Sequence, residues 1–442
     1  MTRRGLLGES IATAALAGLL FGFDTAVVAG VTSDWRHVFT LDDAALGLTV
    51  SAAIWGTLVG ALGAGVPGDR YGARNALRVL AAFYILSAVV ACFSWGLGSL
   101  IAARFVTGLA IGGSSVLAPV YIAEISPAER RGRMVGLFQL MVVTGILVAF
   151  LSNALVGAIA SEAMAWRWKL GVPALPALLF LFLLYRIPDS PRWLTARGRE
   201  TDARAALDLI GVGDPQVELA SIREGLQAHA QERSARLSWR LHRKPILLAV
   251  LLAMFNQTAG INAILYYSND IFAAAGYGRL SADLQTIAVG ATNLAFTLVG
   301  LALIDRIGRK TLLLVGAVGM ACCLAVVAAI FWGALPKPLL LVMLVGYIAF
   351  FAPSQGAVIW VYLSEIFPTR VRARGMGIGS STHWLMNAII VGIFPTIAAR
   401  STGAPFLFFA GMMALQFIVI LLFFPETKGV TLEKMDARME SA

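Results

Sequence analysis

The chain has 442 residues, 58% of them hydrophobic and only 14% charged. This composition excludes several soluble domains, because too little polar surface remains to cover them, and with a mean hydropathy of +0.78 it indicates a polytopic membrane protein. The formal net charge of +10 does not favour nucleic-acid binding, because Lys and Arg are clustered in short links between apolar runs, where they orient a chain in a membrane.

The first apolar run follows the start "MTRRGLLGES", which by itself is compatible with a signal peptide. The run continues through "FGFDTAVVAG", carries an acidic residue and has no clear small-residue cleavage site. We therefore interpret it as a retained membrane span, the first in the chain.

Twelve apolar windows are long enough to cross a hydrocarbon layer of about 30 Å at about 1.5 Å per residue. They lie near residues 10–31, 44–67, 76–94, 98–122, 134–158, 167–187, 245–272, 282–304, 311–334, 338–363, 374–399 and 403–424. The polar segment between the two groups of six places Leu219, Ile222 and Leu226 at helical spacing, which predicts short amphipathic helices at the membrane face. We predict an all-α membrane protein with an N-terminal six-helix bundle, 1–187, a cytoplasmic linker, 188–244, a C-terminal six-helix bundle, 245–424, and a cytoplasmic tail, 425–442.

Three pairs of short sequences recur in the two groups of spans at nearly one offset. They are "DRYGARNAL" and "DRIGRKTLL" at 69 and 305, "YIAEISPAERRGR" and "YLSEIFPTRVRARG" at 121 and 362, and "PDSPRW" and "PETKGV" at 188 and 425. The offsets of 236, 241 and 237 residues indicate two homologous halves, a parallel repeat related by an axis along the membrane normal. Repeats of this kind bind their substrate between them.

Basic residues accumulate in the links on one side of the predicted membrane, which places that side and both termini in the cytoplasm. There the repeated motifs bring together carboxylates and guanidiniums, which form bidentate ion pairs. We hypothesise a cytoplasmic gate that holds the two halves together and breaks when the protein opens inward; the alternative is that the charges only fix the topology. The gate residues are Asp69, Arg70, Arg74, Glu124, Arg131 and Arg133 in the first half and Asp305, Arg306, Arg309, Glu365, Arg372 and Arg374 in the second. In the same motifs, Gly72 and Gly308 are predicted turn glycines.

Two ionisable residues lie clearly within the predicted spans, Asp24 in the first and Arg104 in the fourth. Each costs about 2.5 to 3.5 kcal/mol at the centre of a membrane helix, so each needs a partner. Counted from the predicted span ends, both lie roughly 9 Å below the outer edge of the hydrocarbon core, which predicts an Asp24–Arg104 pair. Movement of the arginine would change the affinity of the acid for a proton, as a proton-coupled carrier requires. A permanent structural ion pair is the alternative.

No catalytic or metal-binding constellation is evident in the sequence. Cys92, Cys322 and Cys323 lie in apolar runs at a spacing that fits neither a disulfide framework nor a metal site. The four histidines are scattered and have no metal-ligand spacing. We therefore expect no cofactor, no metal and no enzyme activity.

Several stretches together resemble the sugar porter family of the major facilitator superfamily, over essentially the whole chain. They are "GFDTAVVAG", "DRYGARN", "ARFVTGLAIGG", "PVYIAEISPAERRGR", "PDSPRW", "NQTAGINAILYYS", "DRIGRK", "SEIFPTRVRARG" and "PETKG". The resemblance implies the major facilitator fold, with 12 transmembrane helices in two pseudo-symmetric bundles, and alternating access. In this family Asp24 matches the acid of the proton-coupled members, and Arg104 matches its partner.

The resemblance also assigns sugar contacts to residues of five spans. They are Gln139, Asn256, Gln257, Asn262, Tyr267, Asn293, Trp360, Trp384 and Asn387. Their chemistry agrees, because sugars offer hydroxyls to amide side chains and apolar ring faces to indoles; hydrogen bonding between helices is the alternative reading of the amides.

The chain departs from the family pattern at three places. Many relatives have two glutamines in the seventh span where this chain has Asn256 and then Gln257, so a shorter side chain stands at the first position. The tenth span reads "PSQGAVIW" and lacks the prolines often found just before Trp360, which weakens the expectation of a helix break there. Ala73 stands where an arginine is usual and reduces the charge of the first gate motif.

We expect a secondary active transporter that moves a monosaccharide, that is a hexose, pentose or polyol, together with a proton. It is expected to work as a monomer in the cell membrane, the inner membrane in a bacterium. A facilitative sugar uniporter on the same fold is the nearest alternative, and a transport-dead sugar sensor is an alternative of another class.

The Asp24→Asn substitution tests the coupling role. It should abolish uphill sugar uptake and spare substrate exchange, because the amide cannot exchange a proton but leaves the sugar contacts in place. Uptake and exchange in the same vesicles measure the two activities, and undiminished accumulation by the variant would contradict a coupling role for Asp24.

Overall fold

The computed structural model describes residues 3–127, 130–211, 214–232, 237–368 and 370–429. Within them, 12 helices are long and apolar enough to cross a membrane, and no strand is present. The spans are Leu6–Gly30, Asp43–Gly63, Ala73–Cys92, Leu97–Ile125, Arg131–Ile159, Glu162–Leu184, Trp239–Tyr266, Arg279–Ile307, Arg309–Phe331, Leu339–Glu365, Arg372–Arg400 and Ala404–Phe423. Helices suit these apolar sequences because each one satisfies its own backbone hydrogen bonds in hydrocarbon. The predicted all-α, multi-pass membrane fold is confirmed.

Four of the spans are interrupted. The first is Arg3–Val27 with a 3-10 turn, Val28–Gly30; the sixth is Glu162–Gly171 and Ala174–Leu184; the seventh is Trp239–Thr258 and Ile261–Tyr266; and the tenth is Leu339–Phe351 and Ala357–Glu365 around a π turn, Ala352–Gly356. At the break in the seventh span Gly260 has a φ of 84°, and a Cβ atom there would lie 2.3 Å from the Phe409 ring. Only glycine fits this position. The short helices outside the spans are Thr32–Val38, Gly65–Tyr71 and Ser268–Ala274.

The linker forms three helices, as its spacing predicts. They are Pro191–Ala196, Glu200–Ile210 and Pro215–Glu232. Leu194, Leu207 and Leu219 are buried in a small core of their own, against which Trp193 packs. The described linker residues are therefore helical, and amphipathic helices at a membrane face stay a prediction.

The chain forms two compact units. The first comprises Met1–Asp24, Ala52–Ser152 and Ile159–Ser234, and the second comprises Thr25–Ser51, Asn153–Ala158 and Ala235–Ala442. Each unit has its own apolar core, with Ile111 and Phe180 fully buried in the first and Leu252 and Leu313 fully buried in the second. The domain boundaries taken from the sequence stay a prediction.

The internal repeat extends to single hydrogen bonds. In the first unit the Tyr121 hydroxyl donates to the carbonyl of Pro188 over 2.7 Å. In the second unit the Tyr362 hydroxyl donates to the carbonyl of Pro425 over 3.0 Å. Each bond joins the tyrosine of one duplicated motif to the first proline of another, so the two halves share a contact as well as a sequence.

The two predicted turn glycines are also equivalent. Gly72 has a φ of 84° and Gly308 a φ of 101°, a conformation that a side chain rarely adopts. A Cβ atom on Gly72 would lie 3.1 Å from the Trp193 ring, and one on Gly308 would lie 2.7 Å from the Glu426 carboxylate. In both halves the tight link is covered by the segment that follows the sixth span of that half.

Replacement of Tyr362 by Phe should lower the unfolding free energy by about 1 kcal/mol, because the carbonyl of Pro425 loses its buried donor. Thermal unfolding in detergent measures the change. Tyr277→Phe is the matched control, since its hydroxyl donates to the carbonyl of Lys337 at an exposed site. Equal melting temperatures for the Tyr362→Phe variant and the unsubstituted protein would show that the bond contributes nothing.

Candidate functional site

The first unit contains a buried ion pair between the first and fourth spans. Arg104 donates through Nη1 to Oδ1 of Asp24, and the two residues are only 2% and 5% exposed. The pair expected from the sequence is therefore present. The second carboxylate oxygen, Oδ2 of Asp24, and the Nε and Nη2 atoms of Arg104 are buried without a hydrogen-bond partner.

The two members of this pair depend on each other. A buried carboxylate and a buried guanidinium are each costly without a partner, so a movement that separates them has to be compensated by another group. Both residues keep hydrogen-bonding atoms without a partner, so Asp24 and Arg104 could contact each other, or other groups, in a second arrangement. The role of Asp24 and Arg104 in coupling itself stays a prediction.

The structure adds two buried ionisable residues to those identified from the sequence. Lys169 in the sixth span is fully buried, and Asp283 in the eighth span accepts a hydrogen bond from Asn269 over 2.6 Å. Both lie within two turns of a helix end, at the edges of the predicted windows 167–187 and 282–304, so they were not counted among the residues clearly within the spans.

In the second unit, amide side chains form a connected network around Gln257. Its Nε2 atom donates to Oδ1 of Asn256 over 3.0 Å and lies 3.1 Å from the ring nitrogens of His383. Its Oε1 atom accepts from Nδ2 of Asn262 over 2.9 Å. Gln257 is therefore held from three directions, and its orientation is fixed.

The network continues away from Gln257 into the interior of the unit. Nδ2 of Asn256 lies 3.2 Å and 3.3 Å from the backbone and side-chain oxygens of Gln355, and Gln355 donates to Oε1 of Gln416. Both glutamines are fully buried, and Nε2 of Gln416 has no hydrogen-bond partner. A polar chain thus links the seventh, tenth and twelfth spans.

Aromatic rings border the network on one side. The His383 ring lies 5.2 Å from the Trp360 ring, tilted by 54°, and 5.2 Å from the Trp384 ring at an angle of 86°. Amides next to indoles suit a ligand with many hydroxyls and an apolar face. This cluster brings together Asn256, Gln257, Asn262, Trp360 and Trp384 of the predicted sugar contacts.

Three other predicted contacts have no direct link to this cluster. Asn293 on the eighth span is 6% exposed, and Asn387 on the eleventh span is 2% exposed with its Oδ1 atom unpartnered. Gln139 lies on the fifth span in the first unit, where it is partly exposed. The roles of all three stay predictions.

Tyr267 has a different environment from the rest of the predicted set. Its hydroxyl donates to the carbonyl of Val391 over 3.0 Å, and its ring stacks on Phe394 at 5.1 Å. The hydroxyl hydrogen is therefore already used within the protein, and a sugar contact by Tyr267 stays a prediction.

His383, Gln355 and Gln416 were missed as site residues. The histidine was judged only by metal-ligand spacing, although it directly precedes Trp384. Gln355 lies in the "PSQGAVIW" segment, and the π turn Ala352–Gly356 forms a helix break there without the usual prolines. Gln355 and Gln416 could have been predicted as site residues, because each is a glutamine in an apolar span and a buried amide needs a partner.

The charged motif of the second unit is closely paired. Arg309 donates to both carboxylate oxygens of Glu365, over 3.2 Å and 2.9 Å, and lies 3.1 Å from Asp305. Thr427 donates to the same glutamate over 2.6 Å. Two helix ends and the segment after the twelfth span are thereby tied together.

Glu426 was not predicted and caps the ninth span. The backbone N–H groups of Arg309, Lys310, Thr427 and Lys428 donate to its carboxylate over 2.9 to 3.0 Å. Burial acts against the charged form, but these four donors hold the pKa of Glu426 below its usual value. A carboxylate at a helix N-terminus also interacts favourably with the helix dipole.

The motif of the first unit is paired differently. Arg74 forms an ion pair with Asp189 and donates to the carbonyl of Ile187 over 2.8 Å. Glu124 interacts with Ser190 and Arg192. Ala73 stands at the position that Arg309 occupies in the second half and provides no guanidinium.

The remaining gate residues lie at the surface of their own unit. The Nε atoms of Arg131 and Arg372 donate to backbone carbonyls. Exposed side chains are found at Asp69, Arg70, Arg133, Arg306 and Arg374.

Comparison with known proteins agrees with this fold. Residues 10–439 match the family model described as "Sugar (and other) transporter". The chain is 34% identical to the arabinose-proton symporter of Bacillus subtilis, over 96% of this chain and 93% of that protein, and 34% identical to the glucose facilitated diffusion protein of Zymomonas mobilis, over 99% and 98%. A solved structure of the xylose transporter XylE from E. coli superposes with a TM-score of 0.87 at 30% identity, over 97% of this chain and 100% of that one.

The fold, the buried polar sites and these likenesses define a membrane carrier with the major facilitator fold. The chain belongs to the sugar porter family of the major facilitator superfamily. The resemblance recognised in the sequence motifs is therefore confirmed.

Gln257→Leu should weaken sugar binding at least tenfold, because it removes about 1.4 kcal/mol or more of hydrogen bonding at the centre of the amide network. Equilibrium binding to purified protein measures the loss. Gln285→Leu is the matched control, since Gln285 bonds only to Ser281 within its own helix. Unchanged sugar affinity in the Gln257→Leu variant would show that the amide network is not part of the sugar-binding site.

Proposed function

We propose that this protein is a secondary active transporter that moves a monosaccharide across the membrane by alternating access, in symport with a proton. The observation that carries the proposal is the buried Asp24–Arg104 pair in a member of the sugar porter family. An acid and a base inside the membrane each need a partner, and a movement of Arg104 away from Asp24 would change the affinity of the acid for a proton.

Sugar recognition is assigned to the amide and indole cluster of the second unit. Gln257 and Asn262 supply donors and acceptors for sugar hydroxyls, and Trp360 and Trp384 supply apolar faces. His383 joins the two kinds of group, since it contacts Gln257 and both indoles. The relatives named for arabinose, glucose and xylose support a hexose or pentose as substrate.

We assign the duplicated charged motifs to the control of opening toward the cytoplasm. The paired Arg309 and Glu365 hold the helix ends of the second unit in a fixed arrangement, as Arg74 and Asp189 do in the first. The charged pairs govern conformation, while sugar and proton bind elsewhere. A change of the gate should therefore alter the balance of states and leave the binding residues intact.

The protein is proposed to lie in the cell membrane, the inner membrane in a bacterium, with both termini in the cytoplasm and as a functional monomer. The clustering of basic residues in the links on one side supports this orientation. Because the family consists of transporters, we propose carrier function and no enzymatic activity.

A facilitative uniporter is the second candidate function, and a relative named as a facilitated diffusion protein favours it. The two functions differ in one measurable property, since a uniporter equilibrates sugar and a symporter accumulates it when a pH gradient is present. A transport-dead sugar sensor would bind sugar without moving it.

Uptake of a panel of radiolabelled sugars into proteoliposomes tests the proposal. With the outside more acidic by one unit, a one-proton symporter should accumulate its sugar up to about tenfold, because each pH unit supplies about 1.4 kcal/mol. A protonophore should abolish the accumulation. Equilibration without accumulation would identify a uniporter, and binding without uptake would identify a sensor.

A further inference from the structure

A second polar site lies in the second unit, at the opposite ends of the spans from the charged motif. It is a cavity of about 170 Å³, and its lining includes the polar residues Arg36, Asp43, Tyr267 and Asp270 together with the aromatic residues Phe331 and Phe394. The links on this face carry few basic residues, so it is the face predicted to be extracellular. None of these residues belongs to the Asp24–Arg104 pair.

Asp270 is the residue in this cavity with a buried carboxylate oxygen that lacks an evident partner. It lies in the short helix Ser268–Ala274, directly after the seventh span, and is partly buried. Its Oδ2 atom is shut off from solvent and has no hydrogen-bond partner. A carboxylate held in this way is destabilised in its charged form and stabilised by a proton.

The nearest cation does not neutralise Asp270 directly, because Arg36 donates to Asp43 over 2.5 Å. The other groups that face the cavity add no further cation. Tyr267 donates its hydroxyl to Val391, and the eleventh and twelfth spans contribute apolar residues and Thr402. The neighbouring Asp283 of the eighth span is bound by Asn269.

Burial raises the pKa of Asp270 to about 6, while the Thr32 hydroxyl and the Arg36 guanidinium act to lower it. Arg36 and Asp43 are 41% and 34% exposed at their side chains, so water and protons reach the cavity past them.

We propose that Asp270 is a proton-binding site of this protein, distinct from Asp24, and that its protonation stabilises the packing of segment 28–36 against the Ser268–Ala274 helix. The 3-10 turn Val28–Gly30 contacts that helix, and the Thr32 hydroxyl and the Arg36 guanidinium of the same segment act on the carboxyl group. The ligand is a proton from the solution on this face of the membrane.

The direction of the effect follows from linkage. The packed form binds the proton more tightly than an open form, in which the carboxyl has its ordinary pKa of about 4. The stabilisation of the packed form by the proton is therefore complete below pH 4. It decreases as the pH rises and is lost above pH 6. The consequence for transport, which rests on the proposed function, is that acid on this face favours closure of the cavity.

Cysteine accessibility tests the proposal without reference to transport. The parent carries the substitutions Cys92→Ala, Cys322→Ala and Cys323→Ala. Ala398→Cys then places a reporter in the cavity wall, and Ala334→Cys, at an exposed site, reports the intrinsic pH dependence of the thiol reaction. The measurement is the ratio of the two labelling rates with a membrane-impermeant thiol reagent between pH 4.5 and 7.5.

The ratio should rise at least fivefold between pH 4.5 and 6.5 and then level off. Asp270→Asn should hold the ratio low and constant, since the amide mimics the protonated acid. Asp34→Asn is the matched control and should keep the rise, because Asp34 lies on the Thr32–Val38 helix that also carries Arg36 but pairs with Arg279 at 3.1 Å.

A constant ratio in the parent, or a rise in the Asp270→Asn variant as steep as in the parent, would overturn the proposal. Sugar exchange measured on the same preparations distinguishes a failure of the Asp270 proposal from a failure of the proposed transport function. Loss of all transport with a normal pH response of the ratio would count against the proposed function alone.

Discussion

Hydrocarbon offers no hydrogen-bond partner, and this constraint determines most of what is polar in the protein. Each buried donor or acceptor must find its partner within the chain or from a ligand. Backbone groups meet the requirement through helices. The side chains meet it through a few connected clusters, of which the Asp24–Arg104 pair and the network around Gln257 are the most buried. Some atoms in these clusters have no hydrogen-bond partner. A ligand or a proton that binds to them therefore stabilises the protein more than one that binds elsewhere.

The same constraint explains why the two halves keep equivalent contacts with different charges. The tyrosine–proline bonds and the turn glycines are repeated, because both are requirements of the backbone. The ion pairs are not repeated. Glu365 is held by Arg309, whereas Glu124 has Ser190 and Arg192 as neighbours. The geometry of the repeat is thus kept while its electrostatics differ between the halves.

Most of the fold could be predicted from the sequence, because twelve long apolar runs and three repeated motifs are strong signals. The Asp24–Arg104 pair could be predicted as well, since an intramembrane acid and base at one depth have few other partners. The Gln355–Gln416 link could not, because it depends on which faces of the tenth and twelfth spans meet. Asp270 was overlooked for a similar reason: it stands at the edge of a predicted span, and its burial depends on the packing of the Ser268–Ala274 helix against distant segments such as Val28–Gly30.

The cap formed by Glu426 has a consequence for biosynthesis. The ninth span begins at Arg309, but the carboxylate that satisfies its first backbone N–H groups lies 117 residues later in the chain. All three remaining spans must therefore leave the ribosome before this helix end is complete. Until then water has to accept the hydrogen bonds of the first backbone N–H groups of the ninth span. This end of the helix therefore stays at the membrane surface while the last three spans are inserted.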